Sequence, residues 1–236
     1  MEVESLYEEP EAHEDLEWGA LELHDVFKIF RAGATDVVAL RGLDLRVEAE
    51  ELVAILGPSG SGKTTLLHLA AGLDQPSAGE VRVAGRSLSR LDEAELADYR
   101  AKDLALVFQS GNLWPALSAR ENVLVSLRFA GSEDRSAADE ALGHFGLSQR
   151  AGQRAGALSG GEQQRVAIAA AAARRPSLVL ADEPTAELDE QNERVVLEEL
   201  QRLRTDYGAT VVVVTHSPAV ADAADRVVEI RDGRVA

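Results

Sequence analysis

The sequence predicts an α/β fold built around a phosphate-binding loop, and three observations carry that prediction. Short apolar runs at 52–56, 104–108, 177–181 and 210–214 read as buried strands. Stretches with helical patterning separate them. Between the first run and the helical stretch at 64–71 lies Gly57-Pro58-Ser59-Gly60-Ser61-Gly62-Lys63-Thr64, which fits G-x-x-x-x-G-K-[ST] without a mismatch.

Taken in order, residues 1–17 contain eight acids and no Lys or Arg. They read as an acidic, disordered tail, drawn to 1–19, with the folded domain at 20–236. A partner-docking role is the alternative for the tail. Residues 21–30 and 37–47 alternate as paired antiparallel strands, and 49–51 turns into the strand at 52–56. Phe30 shortly precedes the loop. It suits either stacking on an adenine face or packing in the core.

Backbone N–H groups of a tight loop must approach phosphate oxygens, so Gly57, Gly60 and Gly62 are expected to keep side chains out of the way. The phosphates would then sit at a positive helix end. Lys63 is expected at the β- and γ-phosphates, and Thr64 on Mg²⁺. Pro58, Ser59, Ser61 and Thr65 complete the nucleotide-binding set.

Residues 72–79 are turn-rich, 80–83 form a short strand, and 92–100 form a helix with Asp92 as N-cap. The strand at 104–108 delivers Gln109 at its C-terminal end, where α/β folds place ligand groups. Residues 118–130 and 136–145 look helical. Leu158-Ser159-Gly160-Gly161-Glu162-Gln163-Gln164-Arg165 opens a helix running to about 174. Its Ser-Gly-Gly start offers a hydroxyl and unobstructed N–H groups to an anion, although such a start is often only a cap. The strand at 177–181 ends in Asp182 and Glu183. Either Asp182 holds Mg²⁺ and Glu183 is a general base, or both cap the next helix. A helix at 191–207 precedes the β-rich run 210–214, which delivers Thr215 and His216. An imidazole there could hydrogen-bond the γ-phosphate and the attacking water. Residues 225–230 and 234–236 close the chain around a hairpin at Asp232-Gly233.

Composition limits the function classes. The chain has 236 residues, no cysteine and a net charge of −17. Disulfides and thiolate metal sites are excluded. The charge opposes non-specific nucleic-acid binding, which draws on basic surface. No apolar run approaches the roughly 18–20 residues that cross a bilayer, and no signal peptide opens the chain. A soluble, cytoplasmic protein that reaches a membrane through a partner is expected.

These elements resemble the ATPase subunit of an ABC transporter over residues 20–236. The carrying motifs are the loop at 57–64, LSGGEQQR at 158–165, LVLADEPT at 178–185, and His216. The resemblance implies a P-loop NTPase fold of ABC type: a mixed RecA-like core sheet, an antiparallel β subdomain, and a helical signature subdomain at about 110–170. It implies ATP and Mg²⁺ as ligands, ATP hydrolysis, and two subunits stacked head to tail. Each ATP would meet Lys63, Thr64, Gln109, Asp182, Glu183 and His216 of one subunit, and Ser159, Gly160 and Gly161 of the other. Asp189 resembles the residue that links the two sites. Thr64, Gln109 and Asp182 would hold the metal; Glu183, His216, Gln109 and Lys63 would be catalytic. A second copy of the chain is expected ahead of a different ATPase subunit.

The finer resemblance is to the lipoprotein-release, macrolide-export and cell-division branch. It rests on GLDQPSAGEV at 72–81, LSRLDEAELADYR at 88–100 and FQSGNLWPALSARENV at 108–123. Amino-acid importers share part of the last stretch. By this resemblance residues 109–123 line the groove that receives an integral membrane permease, on the inner face of the membrane. Phe30, Ala155, Ala170 and Glu187 depart from the family pattern, where tyrosine, proline, arginine and a small residue are commoner. The competing class is a soluble ABC ATPase of DNA repair or translation. It is disfavoured by the absence of a long insertion, a second cassette or a basic surface.

Overall fold

The computed structural model describes residues 18–32, 35–110 and 112–236. The tail reading at 1–17 lies outside these residues. Trp18 and Gly19, grouped above with the tail, are tied to the fold. The Gly19 N–H donates to Glu22 Oε1 at 3.0 Å, and the Arg82 guanidinium sits 4.4 Å from the Trp18 ring centroid.

Two sheets form among the described residues. The first is antiparallel, in the order β2-β1-β4-β5, from β1 (Leu21–Ala32), β2 (Thr35–Val47), β4 (Ala78–Val83) and β5 (Arg86–Ser87). The second runs β10-β9-β3-β8-β7-β6 and holds β3 (Leu52–Leu56), β6 (Leu104–Phe108), β7 (Leu178–Asp182), β8 (Thr210–Val214), β9 (Arg226–Arg231) and β10 (Arg234–Val235). Its strands are parallel except for β10, which closes the terminal hairpin.

β3, β6, β7 and β8 are apolar at nearly every position because both faces are covered. Successive side chains point to opposite faces. Val211 and Val213 therefore join Ala105, Val107, Val179 and Ala181 in one core, under α3 (Ala119–Phe129), α4 (Arg135–His144), α5 (Gly160–Ala173) and α6 (Glu190–Thr205). Val212 and Val214 join Val53, Ile55 and Leu180 in the other, with the antiparallel sheet, α1 (Lys63–Ala70) and α2 (Glu93–Lys102). Each fully buried Val contributes roughly 1.5–3 kcal/mol, so the run at 210–214 fixes the sheet between its two layers.

The helix starts follow local chemistry. Asp92, Ser118 and Ser159 each form a capping box with a Glu three residues on. A short α7 (Pro218–Ala223), not foreseen from the sequence, is capped by Ser217 with Pro218 in its first turn. Ser-Pro was its overlooked signal. No described helix is long and apolar enough to cross a membrane.

Candidate functional site

The C-terminal ends of four adjacent strands meet at one level. Asp182 pairs with Val214 on one side and Phe108 on the other, and Ile55 pairs with Val214. The residues just beyond these positions are the loop from Gly57, Gln109, Glu183, and Thr215 with His216. In-register parallel strands thus gather groups more than a hundred residues apart in sequence.

The loop from β3 leads into α1, whose N-cap is Gly62. α2 to α7 all carry a side-chain cap; α1 has none, and no acid lies in its first turn. Its N–H groups and positive end are left for an anion. Ser61 Oγ is buried without a hydrogen-bond partner. Lys63 is only 6% exposed, and its Nζ donates to the carbonyls of Gly57 at 2.7 Å and Pro58 at 3.0 Å. Orphaned donors around a buried ammonium suit a polyphosphate.

The glycines do not all serve the reason expected of them. A Cβ on Gly57 would lie 2.1 Å from Ile230 O, and one on Gly62 would lie 2.6 Å from Ala39 O. Both are small because the chain packs on them. Gly60, at φ 79°, has open space where a side chain would go, so it alone fits the idea of clear approach for a phosphate.

The Thr64 hydroxyl donates to Asp182 Oδ2 at 3.1 Å. These are two hard oxygen donors beside the phosphate loop, the set that Mg²⁺ takes together with phosphate oxygens. Glu183 sits in left-handed backbone at φ 49°, an uncommon conformation for a residue with a side chain. It is held there by its N–H to Val214 O at 2.9 Å. Its carboxylate accepts the His216 N–H at 3.2 Å and lies 3.2 Å from His216 Nε2. Neither acid caps the next helix: Asp189 does, accepting from the Asn192 N–H at 2.8 Å. The helix-cap alternative is therefore set aside. A cavity of about 570 Å³ is lined by Gln109, Glu183, Thr185, Thr215, His216 and Ser217.

The other singled-out residues lie elsewhere. Phe30 is 42% exposed near the end of β1, with Lys28 Nζ 5.0 Å from its ring centroid, so packing in the core does not hold. Ser159 caps α5, accepting from the Glu162 N–H at 3.3 Å, and Arg150 pairs with Glu162 at 2.8 Å. The cap reading of Ser159 is therefore realised, and its hydroxyl also bonds the Glu162 carboxylate. Gly161 is packed, since a Cβ there would fall 2.4 Å from Asn192 Oδ1; Gly160 is open, its nearest neighbour 3.9 Å away. Of the remaining described histidines, His24 pairs with Glu22 and His144 with Asp206.

Sequence reasoning missed the residues that hold the Gln109 loop. Gln164, buried on α5, donates to Phe108 O at 3.1 Å and accepts from Asn112 Nδ2 at 3.3 Å. Asn112 also brackets Phe108 through both its backbone groups. Asn122 is buried and bonds Trp114, Leu117 and Ser118. Buried amides are bonded where they occur, so the polar positions on the inner faces of α3 and α5 were the usable signal. Beyond them a cavity of about 250 Å³ is lined by Leu113, Trp114, Val125, Phe129, Ala170 and Arg174, among others. Trp114 and Phe129 are 52% and 66% exposed.

Residues 40–186 match the ABC transporter family. The chain is 44% identical over 218 residues to the lipoprotein-releasing system ATP-binding protein LolD of Geobacter metallireducens, covering 91% of this chain and 97% of that protein. It is 43% identical over 218 residues to the macrolide export ATP-binding/permease protein MacB of Syntrophobacter fumaroxidans, covering 90% of this chain but only 30% of that protein's length. Among solved structures it is similar to a dimeric ATP-binding cassette in a post-hydrolysis state bound to ADP and Pi, with a TM-score of 0.83 and 40% identity, covering 91% of this chain and 96% of that one.

Proposed function

The chain belongs to the ABC transporter family of ATPases, and on that premise we propose that it drives a membrane transporter or mechanotransmission complex by hydrolysing ATP between two head-to-tail subunits. The observation that carries this is the convergence of Thr64 with Asp182 and of Glu183 with His216 at the strand ends beside an uncapped helix. Lys63 exchanges the Gly57 and Pro58 carbonyls for the β- and γ-phosphate oxygens of ATP. Thr64, Asp182 and Gln109 would hold Mg²⁺, which would neutralise charge developing on the phosphates. Glu183 accepts the proton of the attacking water. His216 steadies Glu183 and donates toward the γ-phosphate. The uncapped start of α1 adds fixed dipoles where negative charge grows.

Ser159 and Gly160 of a second copy supply a hydroxyl and an N–H to the γ-phosphate of the first. The groove with Trp114 and Phe129 receives a helix of the permease, which places the chain on the cytoplasmic face of a membrane. The described part of the 109–123 stretch, tied to Gln164 and Asn122, carries closure at ATP into that groove. Relatives that are transporter ATPases, and the −17 charge, weigh against DNA repair or translation.

Phosphate release and fluorescent-ATP binding test the assignment together. Lys63→Ala should abolish binding. Glu183→Gln should keep binding and lose about 10²–10⁴-fold in kcat, the usual contribution of general base catalysis. Turnover near the wild-type rate in Glu183→Gln would remove Glu183 from the chemistry.

A further inference from the structure

Gln109 is gripped at one end only. Its Nε2 donates to Glu187 Oε1 at 3.2 Å. A carboxylate has no proton to give, so it can face only the NH₂ end of an amide. Oε1 of Gln109 is thereby turned to the other side. Gln109 lines two cavities: one shared with Glu183 and His216, the other with Glu187 and Gly160. Glu187 lines the second and not the one shared with Glu183 and His216. Its backbone is fixed to the acid segment, with Ala186 N–H on Glu183 O at 3.2 Å and Leu188 N–H on Thr185 O at 3.0 Å.

We propose that Glu187 is a positioning residue: it holds the Gln109 amide so that the carbonyl oxygen, and not the NH₂ group, is presented to Mg²⁺. This rests on the assignment of Gln109 as a metal ligand. An amide free to rotate offers the cation its positive end part of the time, and the metal must then supply the ordering. Glu187 also joins the turn that begins at Glu183 to the loop that carries Gln109. Partners of metal ligands commonly matter by 10–100-fold in affinity; for an exposed bond the lower end applies.

The readout is the affinity of the full chain for a fluorescent, non-hydrolysable ATP analogue, with Mn²⁺ and with EDTA. The ratio of the two is the gain due to metal. Glu187→Ala should cut that gain about tenfold and leave the affinity in EDTA unchanged. Glu187→Gln keeps an acceptor for Nε2 without the charge, and should restore the gain. Equal losses in Glu187→Ala and Glu187→Gln would assign the effect to charge alone and overturn the proposal, as would no loss in Glu187→Ala. Gln109→Ala separates the two layers. If it leaves the gain intact, the metal-ligand assignment fails and takes the proposal with it. If it removes the gain while Glu187→Ala does not, only the role of Glu187 fails.

Discussion

Gly57 and Gly60 sit three residues apart in one loop and answer to different constraints. At Gly57 a methyl group would lie 2.1 Å from Ile230 O, a backbone atom that cannot move aside cheaply. At Gly60 the space is open, and only the left-handed backbone is costly. Gly57→Ala should therefore destabilise the fold by about 3 kcal/mol or more. Gly60→Ala should cost about 1–2 kcal/mol and instead weaken ATP binding. Thermal unfolding with and without ATP separates them, and equal Tm losses would contradict the distinction. From the sequence both glycines belong to one motif, and their separate reasons are invisible there. One depends on β9, which lies more than 160 residues away in the chain. Asp182 and Glu183 were more legible. A strand ending in two acids suits two roles, and Asp189 removes the capping one by taking the cap itself.

At the level of elements, α6 carries the protein's most exposed contradiction to simple patterning. Glu199 is 4% exposed between α6 and the neighbouring helices. Burial pushes its carboxyl above the ordinary carboxylate range, against the pull of Arg202, Arg165 and His144. The folded chain then keeps a proton that the unfolded chain has lost. Stability from this group is present at low pH and declines as pH rises from the ordinary range through the raised value. Glu199→Gln removes that decline. Its Tm should exceed the wild type by more at pH 8 than at pH 5, by about 2–4 °C per kcal/mol released. A larger gain at pH 5 would reverse the sign and refute the burial argument. Helix starts were legible because Asp92, Ser118 and Ser159 each carry their Glu partner three residues on. α7 was not foreseen, since six residues are too few for a periodic signal and only Ser217-Pro218 marks it.

For the whole molecule, the order of strands in the central sheet is what local pattern leaves open. Each apolar run announces a strand, yet nothing in β3 says that its neighbours are β8 and β9. The convergence of the loop, Gln109, Asp182, Glu183 and His216 follows from that order, and the motifs anticipated it only through resemblance. In the proposed function this site is half of an engine. Ser159 opens α5 at an exposed helix start, and Gly160 beside it is unobstructed. In the proposed dimer, this helix start meets the phosphate of a second subunit.

Light scattering on purified Glu183→Gln, with and without ATP, tests that central claim most directly. The variant should be monomeric without ATP and dimeric with it, while Glu183→Gln combined with Ser159→Arg should bind ATP and stay monomeric. Dimers of the combined variant as abundant as those of Glu183→Gln alone would contradict a composite site completed by the Ser-Gly-Gly helix start.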